Sequence, residues 1–272
     1  MKIPNIILLL LSSITITAQS TNFIYQYTYI SDTLKKNDHT KTYMVLSVCK
    51  SKSEFFSLEK YKIDSTLTSD AKKGIYGMPP PKDYINYRVI KNYSNKKTEQ
   101  RYPLIGYTIL IEDRRKLKWI LKPEHSILLG YKIQKAETDF AGRHWIAWFT
   151  TEIPIQDGPY KFSGLPGFIL KIEDTTKSHI FELKSIKKYQ LCNPYPELDL
   201  HLKLKNVNED DFRKIFKNYR NNPAASLIGR IPDQVDSDGN FRSAQSIIRT
   251  IEKHQKEKFK RDNNIIEIDL LR

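Results

Sequence analysis

The chain has 272 residues, a formal net charge of +14 and two cysteines. This length fits one large β-rich domain or one domain with a helical appendage. Two cysteines are too few for a disulfide-stabilised miniprotein, and the sequence contains no nucleic-acid-binding motif. Cys49 and Cys192 could pair in an oxidising compartment, and the sequence leaves this pairing open.

The N-terminus has the pattern of a secretory signal peptide. Lys2 precedes an apolar run at residues 6–11, and a Ser/Thr-rich stretch ends at Ala18. A transmembrane helix needs about 20 mostly apolar residues, many more than this run supplies. We therefore expect a signal peptide of residues 1–18 and a single domain of residues 19–272. The mature protein is expected to be soluble, not membrane-spanning, and periplasmic or extracellular.

Residues 23–190 are predicted to be rich in β-structure. Short segments alternate aromatic or β-branched residues with polar ones, and charged turns separate them. Residues 53–74 are predicted to begin as a strand and to continue as a helix. The fold class is mainly β with α (α+β), with a large antiparallel sheet, curved or half-barrel in form, and C-terminal helices. The predicted strands are residues 23–30, 42–50, 83–94, 98–113, 116–124, 127–140, 144–150, 159–164, 168–174 and 179–189.

Residues 206–262 are predicted to be helical. The acidic start of this segment suits a helix N-terminus, and an amphipathic helix with Phe212 and Phe216 on its apolar face ends at Pro223. A long basic helix is predicted from about residue 244 to residue 262. Residues 264–271 alternate in polarity, and this pattern predicts a C-terminal edge strand.

The positive charge is spread along the chain, with dense stretches at residues 184–188 and 253–261. Such a distribution favours a solvated basic surface. The alternative interpretation is an anionic surface polymer as partner.

Catalytic and metal-binding patterns are missing from the sequence. The six histidines show no metal-ligand spacing, and neither HExxH, CxxC nor GxSxG occurs. We therefore expect no cofactor, no metal site and no catalytic residue. The alternative function is a hydrolase that acts on envelope peptide or glycan through Arg143, His144, Glu152 and Asp157, which are close together in sequence.

Residues 140–174 are dense in aromatic residues and turn glycines. Pro166 fixes φ, whereas Gly164 and Gly167 can adopt backbone conformations that other residues avoid. This turn and a second one at Gly158 bracket residues 159–163. The nearby aromatic side chains form either a core cluster under a hairpin or a platform that faces a ligand.

The same segment closely resembles the GLPGLI family, whose members are secreted proteins of Bacteroidota-type bacteria. The resemblance rests on GYKIQKAETDFAGRHWIAWFTTEIPIQDGPYKFSGLPGFILKIED at residues 130–174, and it extends to SEFFS, DSTL and KRDNNIIEID. Two departures are Ile133, where the family often has cysteine, and Phe168, which replaces the leucine of GLPGLI. The resemblance implies export, a mostly β fold and an envelope role without a known activity.

The leading hypothesis is a non-enzymatic envelope protein that binds a partner protein, a peptide or an apolar ligand through its sheet. Candidate binding positions are those of the family motif, because so tight a motif specifies a rigid local shape. These positions are Gly142, Arg143, Trp145, Trp148, Pro154, Gly158, Pro159, Tyr160, Phe162, Gly164, Leu165, Pro166 and Gly167.

Overall fold

A computed structural model describes residues 20–77, 85–105, 107–192, 195–196, 203–235 and 238–272. The predicted signal peptide of residues 1–18 lies outside the described residues. Twelve strands form one large sheet. They are β1 Ser20–Tyr29, β2 Thr40–Val48, β3 Lys52–Ser57, β4 Arg88–Asn92, β5 Lys97–Leu104, β6 Tyr107–Asp113, β7 Ile120–Leu128, β8 Tyr131–Phe140, β9 Arg143–Thr150, β10 Phe168–Asp174, β11 His179–Tyr189 and β12 Lys203–Asn208.

The sheet is open, and its strand order is β12-β6-β5-β4-β3-β2-β1-β11-β10-β9-β8-β7. Strand β1 pairs with both β2 and β11, so it joins the half of the sheet that contains β2–β6 to the half that contains β7–β11. The predicted large sheet with C-terminal helices is confirmed. It is mixed rather than purely antiparallel, because β12 runs parallel to β6.

The strand-to-helix change predicted for residues 53–74 occurs at Ser57. Its side chain accepts a hydrogen bond from the backbone N–H of Lys60 and thereby caps helix α1, Leu58–Ala71. Asp64 of this helix is buried, and Tyr195 donates a hydrogen bond of 2.7 Å to its carboxylate. These contacts hold α1 against the β2–β3 part of the sheet.

Two further helices follow the sheet. Helix α2, Glu209–Asn221, buries Phe212 and Phe216, as its apolar face predicts. A short hairpin precedes the basic helix α3, Ala244–Arg261. Its strands, β13 Gln234–Val235 and β14 Phe241–Arg242, have two residues each. A 3₁₀ helix at Ala225–Leu227 follows α2.

Several sequence predictions differ from the structure. The predicted strand at residues 98–113 is two strands, β5 and β6, and the predicted helical segment 206–262 begins within β12 and contains β13 and β14. The predicted strand at residues 264–271 is wrong, since Ile268–Leu271 form a 3₁₀ helix and residues 262–267 are neither helix nor strand. We call residues 262–271 the C-terminal strap. The predicted strand at residues 159–164 is a loop with a single bridge between Asp157 and Ser163. Residues 127–140 are not one strand, because Leu129 and Gly130, both at positive φ, form the turn between β7 and β8.

The two cysteines form a disulfide between the end of β2 and the segment after β11. The Cα atoms of Cys49 and Cys192 are 6.0 Å apart. This distance lies within the usual range for a disulfide. The pairing that the sequence left open is therefore present, and it closes a loop across a sequence separation of 143 positions.

Candidate functional site

The loop between β9 and β10 fills the hydrophobic core. Tyr160, Phe162 and Leu165 are 3%, 0% and 1% exposed. The ring of Phe162 packs against that of Trp145, with centroids 4.7 Å apart. Trp145 and Phe162 therefore lie inside the core, whereas Trp148 lies on the opposite face of β9 and is half-buried.

Two glycines of this loop are required by close packing. A Cβ atom at Gly167 would lie 2.1 Å from the carbonyl oxygen of Thr150. A Cβ atom at Gly158 would lie 2.8 Å from side-chain atoms of Ile169. A side chain at either position would force the loop away from β9 or β10.

Tyr160 and Lys161 connect the loop to the C-terminal strap. Both donate hydrogen bonds of 2.5 Å to Oε1 of Glu267, and Arg115 donates one of 2.8 Å to its other oxygen. Tyr160 has a φ of 53°, a conformation that a bulky residue keeps only where its surroundings fix it. Burial alone would raise the pKa of Glu267, but Lys161 and Arg115 lower it. The strap is thus anchored by a buried carboxylate with its charge compensated.

Arg143 forms the second anchor of the strap. Its guanidinium donates to the side chain of Asn264 at 2.6 Å and to the backbone carbonyls of Ile265 and Ile266 at 2.7 and 3.0 Å. The same group forms an ion pair of 3.0 Å with Asp174. The Gly-Arg part of the motif therefore holds the C-terminal segment against the sheet.

Asp157 is the centre of a buried polar cluster. Ser53 and Tyr93 donate hydrogen bonds of 2.5 and 2.6 Å to Oδ2, and Gly158 donates its backbone N–H to Oδ1. Lys91 forms an ion pair with the same carboxylate. Burial lowers the pKa of Lys91, and the charge of Asp157 opposes this shift. The cluster joins β3 and β4 to the motif loop.

The four residues of the hydrolase hypothesis do not share one cleft. Glu152 is exposed and accepts a hydrogen bond from the backbone of Lys132. His144 lies 2.7 Å from the exposed Asp139. Asp157 and Arg143 are each engaged in the separate buried networks described above. The structure therefore places these groups in four different environments.

Most of the remaining candidate positions are exposed. Pro159 is buried beside Gly158. The exposed members are Gly142, Pro154, Gly164 and Pro166. A Cβ atom at Gly142 would lie 3.0 Å from Ile268, so this glycine also accommodates the strap. The thirteen motif positions thus belong mainly to the core and its turns.

A cleft of about 620 Å³ lies between one end of the sheet and the C-terminal helices. Its volume is within the usual range of small-molecule sites, about 300 to 1,000 Å³. Tyr160 is the one motif position among its lining residues. Its aromatic lining comes from β1, β5, the segment before β4, the loop between β9 and β10, and helices α2 and α3. It comprises Tyr27, Tyr29, Tyr87, Tyr102, Tyr160, Phe212, Phe216, Tyr219 and Phe259.

Three polar side chains that line the cleft have no hydrogen bond to any described residue, namely Tyr87, Gln100 and Tyr102. Of their polar atoms, the hydroxyl of Tyr87 is the one that is fully buried without a partner. Gln100 and Tyr102 alternate on the inward face of β5, and Gln100 is only 4% exposed. Tyr87 directly precedes β4, whose Arg88 pairs with Arg101, and so flanks Tyr102 on the neighbouring strand. We call these three residues the polar row.

Burial keeps the tyrosine and histidine side chains that line the cleft in their neutral forms. It raises the pKa values of Tyr87 and Tyr102 well above their usual range, and that of Tyr219 to about 12. Burial, followed by the charge of Arg143, lowers the pKa of His179 to about 3. The imidazole of His179 lies 2.7 Å from the hydroxyl of Tyr27. These aromatic side chains are therefore neutral at physiological pH.

The charged groups deep in the cleft, Glu267 and Arg220, already have hydrogen-bond partners. Glu267 is paired as described, and Arg220 donates to the backbone carbonyl of Phe259 at 2.8 Å. Lys35, Asp38 and Arg261 are exposed at the mouth. Within the described ranges, metal-ligating residue types form no group of three or more that could hold an ion.

Sequence reasoning identified the apolar face of α2 but missed the polar row. Gln100 and Tyr102 lie on β5, within a segment predicted as a strand, whereas Tyr87 lies just before β4. The signal that could have indicated it is the high tyrosine content, 16 residues, with repeated tyrosines on alternating strand positions. Alternation alone does not tell which tyrosines have a hydroxyl partner.

None of the helices in the described ranges combines the length and apolarity that crossing a membrane requires.

A family model described as "Protein of unknown function (Porph_ging)" matches residues 82–171. No curated protein matches the chain. Two solved structures of PNGF-II, in different space groups, each superpose with a TM-score of 0.53 at 18% identity. The alignment covers 75% of this chain and 34% of PNGF-II, so the chain spans about a third of that protein's length. At this identity the likeness concerns the fold, and the family model shows a similarity of residues 82–171 to a domain of unknown function.

Proposed function

We propose that the protein is a non-enzymatic binding protein of the cell envelope and that the tyrosine-lined cleft is its ligand site. The observation that carries this proposal is the polar row in a cleft of about 620 Å³. A buried polar group without a partner costs about 1 to 3 kcal/mol. A ligand that supplies the missing hydrogen bonds would offset this cost.

The export part of the proposal has two supports. Residues 1–18 have the composition of a signal peptide. The disulfide between Cys49 and Cys192 is typical of an oxidising compartment. Membership in the GLPGLI family belongs to the same proposal, and it rests on the motif at residues 130–174.

The cleft, rather than the motif, is proposed as the binding site because of burial. The motif side chains that could bind a ligand, such as Trp145 and Phe162, are fully buried. The cleft instead offers accessible aromatic surface together with hydrogen-bonding groups, the combination that small-ligand sites usually have. The motif supports this site indirectly, because Arg143 and Lys161 hold the strap that forms one of its walls.

The test is retention of small molecules by the native protein. The purified protein is incubated with an extract of the cells that produce it, washed by ultrafiltration and denatured, and the released molecules are identified by mass spectrometry. Asn86→Trp narrows the mouth of the cleft at an exposed position. Asn206→Trp, on the exposed edge strand β12, is the matched control.

We expect the wild type and Asn206→Trp to retain the same molecule and Asn86→Trp to lose it. Equal retention by both variants would place the site elsewhere and contradict the proposal. Retention of nothing by the wild type would contradict it as well. Thermal unfolding of both variants shows that a loss of retention does not arise from a loss of fold.

A further inference from the structure

We infer that the ligand of the cleft is an extended, uncharged peptide segment. This inference rests on the proposed binding function and names the class of ligand. It follows from three properties of the cleft: the chemistry of the polar row, the spacing of the row, and the shape of the aromatic wall that faces it.

The polar row calls for a ligand that both donates and accepts hydrogen bonds. Tyrosine hydroxyls and the Gln100 carboxamide can each act in both ways. Peptide amides have a donor and an acceptor side by side. Since Glu267 is already paired with Lys161, a cationic group placed beside it would lose its hydration without gaining a new ion pair. The guanidinium of Arg220 already donates to the backbone carbonyl of Phe259.

The spacing of the row matches an extended backbone. Gln100 and Tyr102 are two residues apart on one face of β5, so their Cα atoms are separated by about 7 Å along the strand. An extended peptide presents the backbone groups of one edge with the same two-residue period. A peptide that lies along β5 would therefore meet both side chains with successive amide groups of one edge.

The aromatic wall forms a recess for a projecting side chain and does not offer a flat surface for a stacked ring. The ring of Tyr102 is inclined by 59° to that of Phe212 and by 82° to that of Phe216. Rings at such angles form a corner rather than a flat stacking surface. A corner of this kind accommodates an apolar or aromatic side chain that projects from a peptide.

The test uses a library of tetrapeptides that are acetylated and amidated and contain only uncharged residues. The protein is mixed with the library and, separately, with uncharged oligosaccharides, and retained molecules are identified by mass spectrometry. The affinity of the best peptide is then measured by calorimetry for the wild type, Tyr87→Phe, Tyr102→Phe and Gln100→Leu. Tyr43→Phe, an exposed tyrosine outside the cleft, is the control.

We expect peptides to be retained and each polar-row variant to weaken binding by about 2- to 10-fold, the effect of one hydrogen bond. Tyr43→Phe should bind as the wild type does. The two tyrosine variants keep their rings, so a failure to fold is not expected, and thermal unfolding checks it.

Three outcomes would overturn the inference. Retention of oligosaccharides without peptides, abolished by Asn86→Trp, would contradict the peptide class while the proposed binding cleft stands. Peptide binding that no polar-row variant changes would show that the row does not contact the peptide. Retention of neither probe, together with no retained molecule from the cell extract, would contradict both the inference and the proposed function.

Discussion

The guanidinium of Arg143 pairs with Asp174 at 3.0 Å while it also binds the backbone of the strap at Ile265 and Ile266. One side chain thus links β9, β10 and the C-terminal segment. Its side chain is only 7% exposed, so few water molecules can replace these partners. Five testable predictions follow from this and the other networks of the protein.

Arg143→Ala is expected to lower the free energy of unfolding by about 3 to 5 kcal/mol, because it leaves the buried Asp174 without its ion-pair partner. Urea unfolding followed by tryptophan fluorescence measures the change. The exposed Arg230 provides the control, and Arg230→Ala should change the free energy by less than about 0.5 kcal/mol. Similar losses in both variants would contradict the anchoring role of Arg143.

Gly167→Ala is expected to destabilise the fold by about 3 kcal/mol, the upper end of overpacking costs. The added Cβ atom would lie 2.1 Å from the carbonyl oxygen of Thr150, a backbone atom that cannot move independently. At Gly77 the nearest atom to an added Cβ is 3.5 Å away, in Leu67, so Gly77→Ala should change stability little. Thermal melting of the two variants compares them directly. A harmless Gly167→Ala would mean that the loop can shift away from β9.

Two tyrosine variants distinguish a satisfied hydroxyl from an unsatisfied one. Tyr160→Phe removes a donor to the buried Glu267 and should cost about 1.5 to 3 kcal/mol. Tyr87→Phe removes a hydroxyl that has no partner among the described residues, and its stability should equal or exceed that of the wild type. Chemical denaturation of the ligand-free protein measures both. A destabilised Tyr87→Phe would show that this hydroxyl has a partner in solution.

Acid is expected to destabilise the protein partly through His179. Burial, followed by the charge of Arg143, lowers its pKa from 6.5 to about 3 in the folded state. Between these values the unfolded chain binds more protons at this residue than the folded chain does. The free energy of unfolding is therefore unaffected by His179 above about pH 6.5 and falls as the pH drops toward 3. The slope for one such group is at most about 1.4 kcal/mol per pH unit.

The measurement for His179 is its imidazole resonance in NMR spectra recorded from pH 8 to pH 4.5. A neutral ring should persist throughout this range while the protein stays folded. The imidazole of His179 contacts Tyr27 and interacts electrostatically with Arg143 and Asp174. The signals of these three residues report whether the surrounding structure is unchanged. Protonation of His179 near pH 6.5 in the folded protein would contradict the expected shift.

Removal of the disulfide by Cys49→Ser with Cys192→Ser should lower the free energy of unfolding by about 2 to 5 kcal/mol. The bridge closes a long loop, with a sequence separation of 143 positions, and so restricts the unfolded chain strongly. Reductant should lower the unfolding midpoint of the wild type but not that of the double variant. If Cys49 and Cys192 of the native protein react with an alkylating agent in the absence of reductant, they are free thiols and the disulfide is absent.

Local sequence patterns predicted most of the sheet. The strands at Phe168–Asp174 and His179–Tyr189 have the predicted bounds. One face is buried along the first of these strands and along the first half of the second. The same alternation was misleading at residues 264–271. There Ile266 and Glu267 are buried, but side chains of Arg143 and Lys161 bind the segment in place of a neighbouring strand. A sequence pattern reports burial and does not tell which group satisfies the backbone.

The cleft could not be predicted because its residues come from distant segments. Tyr102 on β5 meets Phe212 and Phe216 of α2 only in the folded protein. The motif at residues 140–174 was the clearest feature of the sequence, yet most of its side chains stabilise the core. The disulfide could not be predicted either, because an oxidising compartment alone does not show which cysteines approach each other.

The anchoring of the strap also has a kinetic consequence. Asn264 meets Arg143 across 121 positions, and Glu267 meets Lys161 across 106. Contacts of such sequence separation form late, because a long stretch of chain must be ordered before they close. The strap can therefore bind only after β9, β10 and the loop between them have formed, so its docking marks a late step of folding.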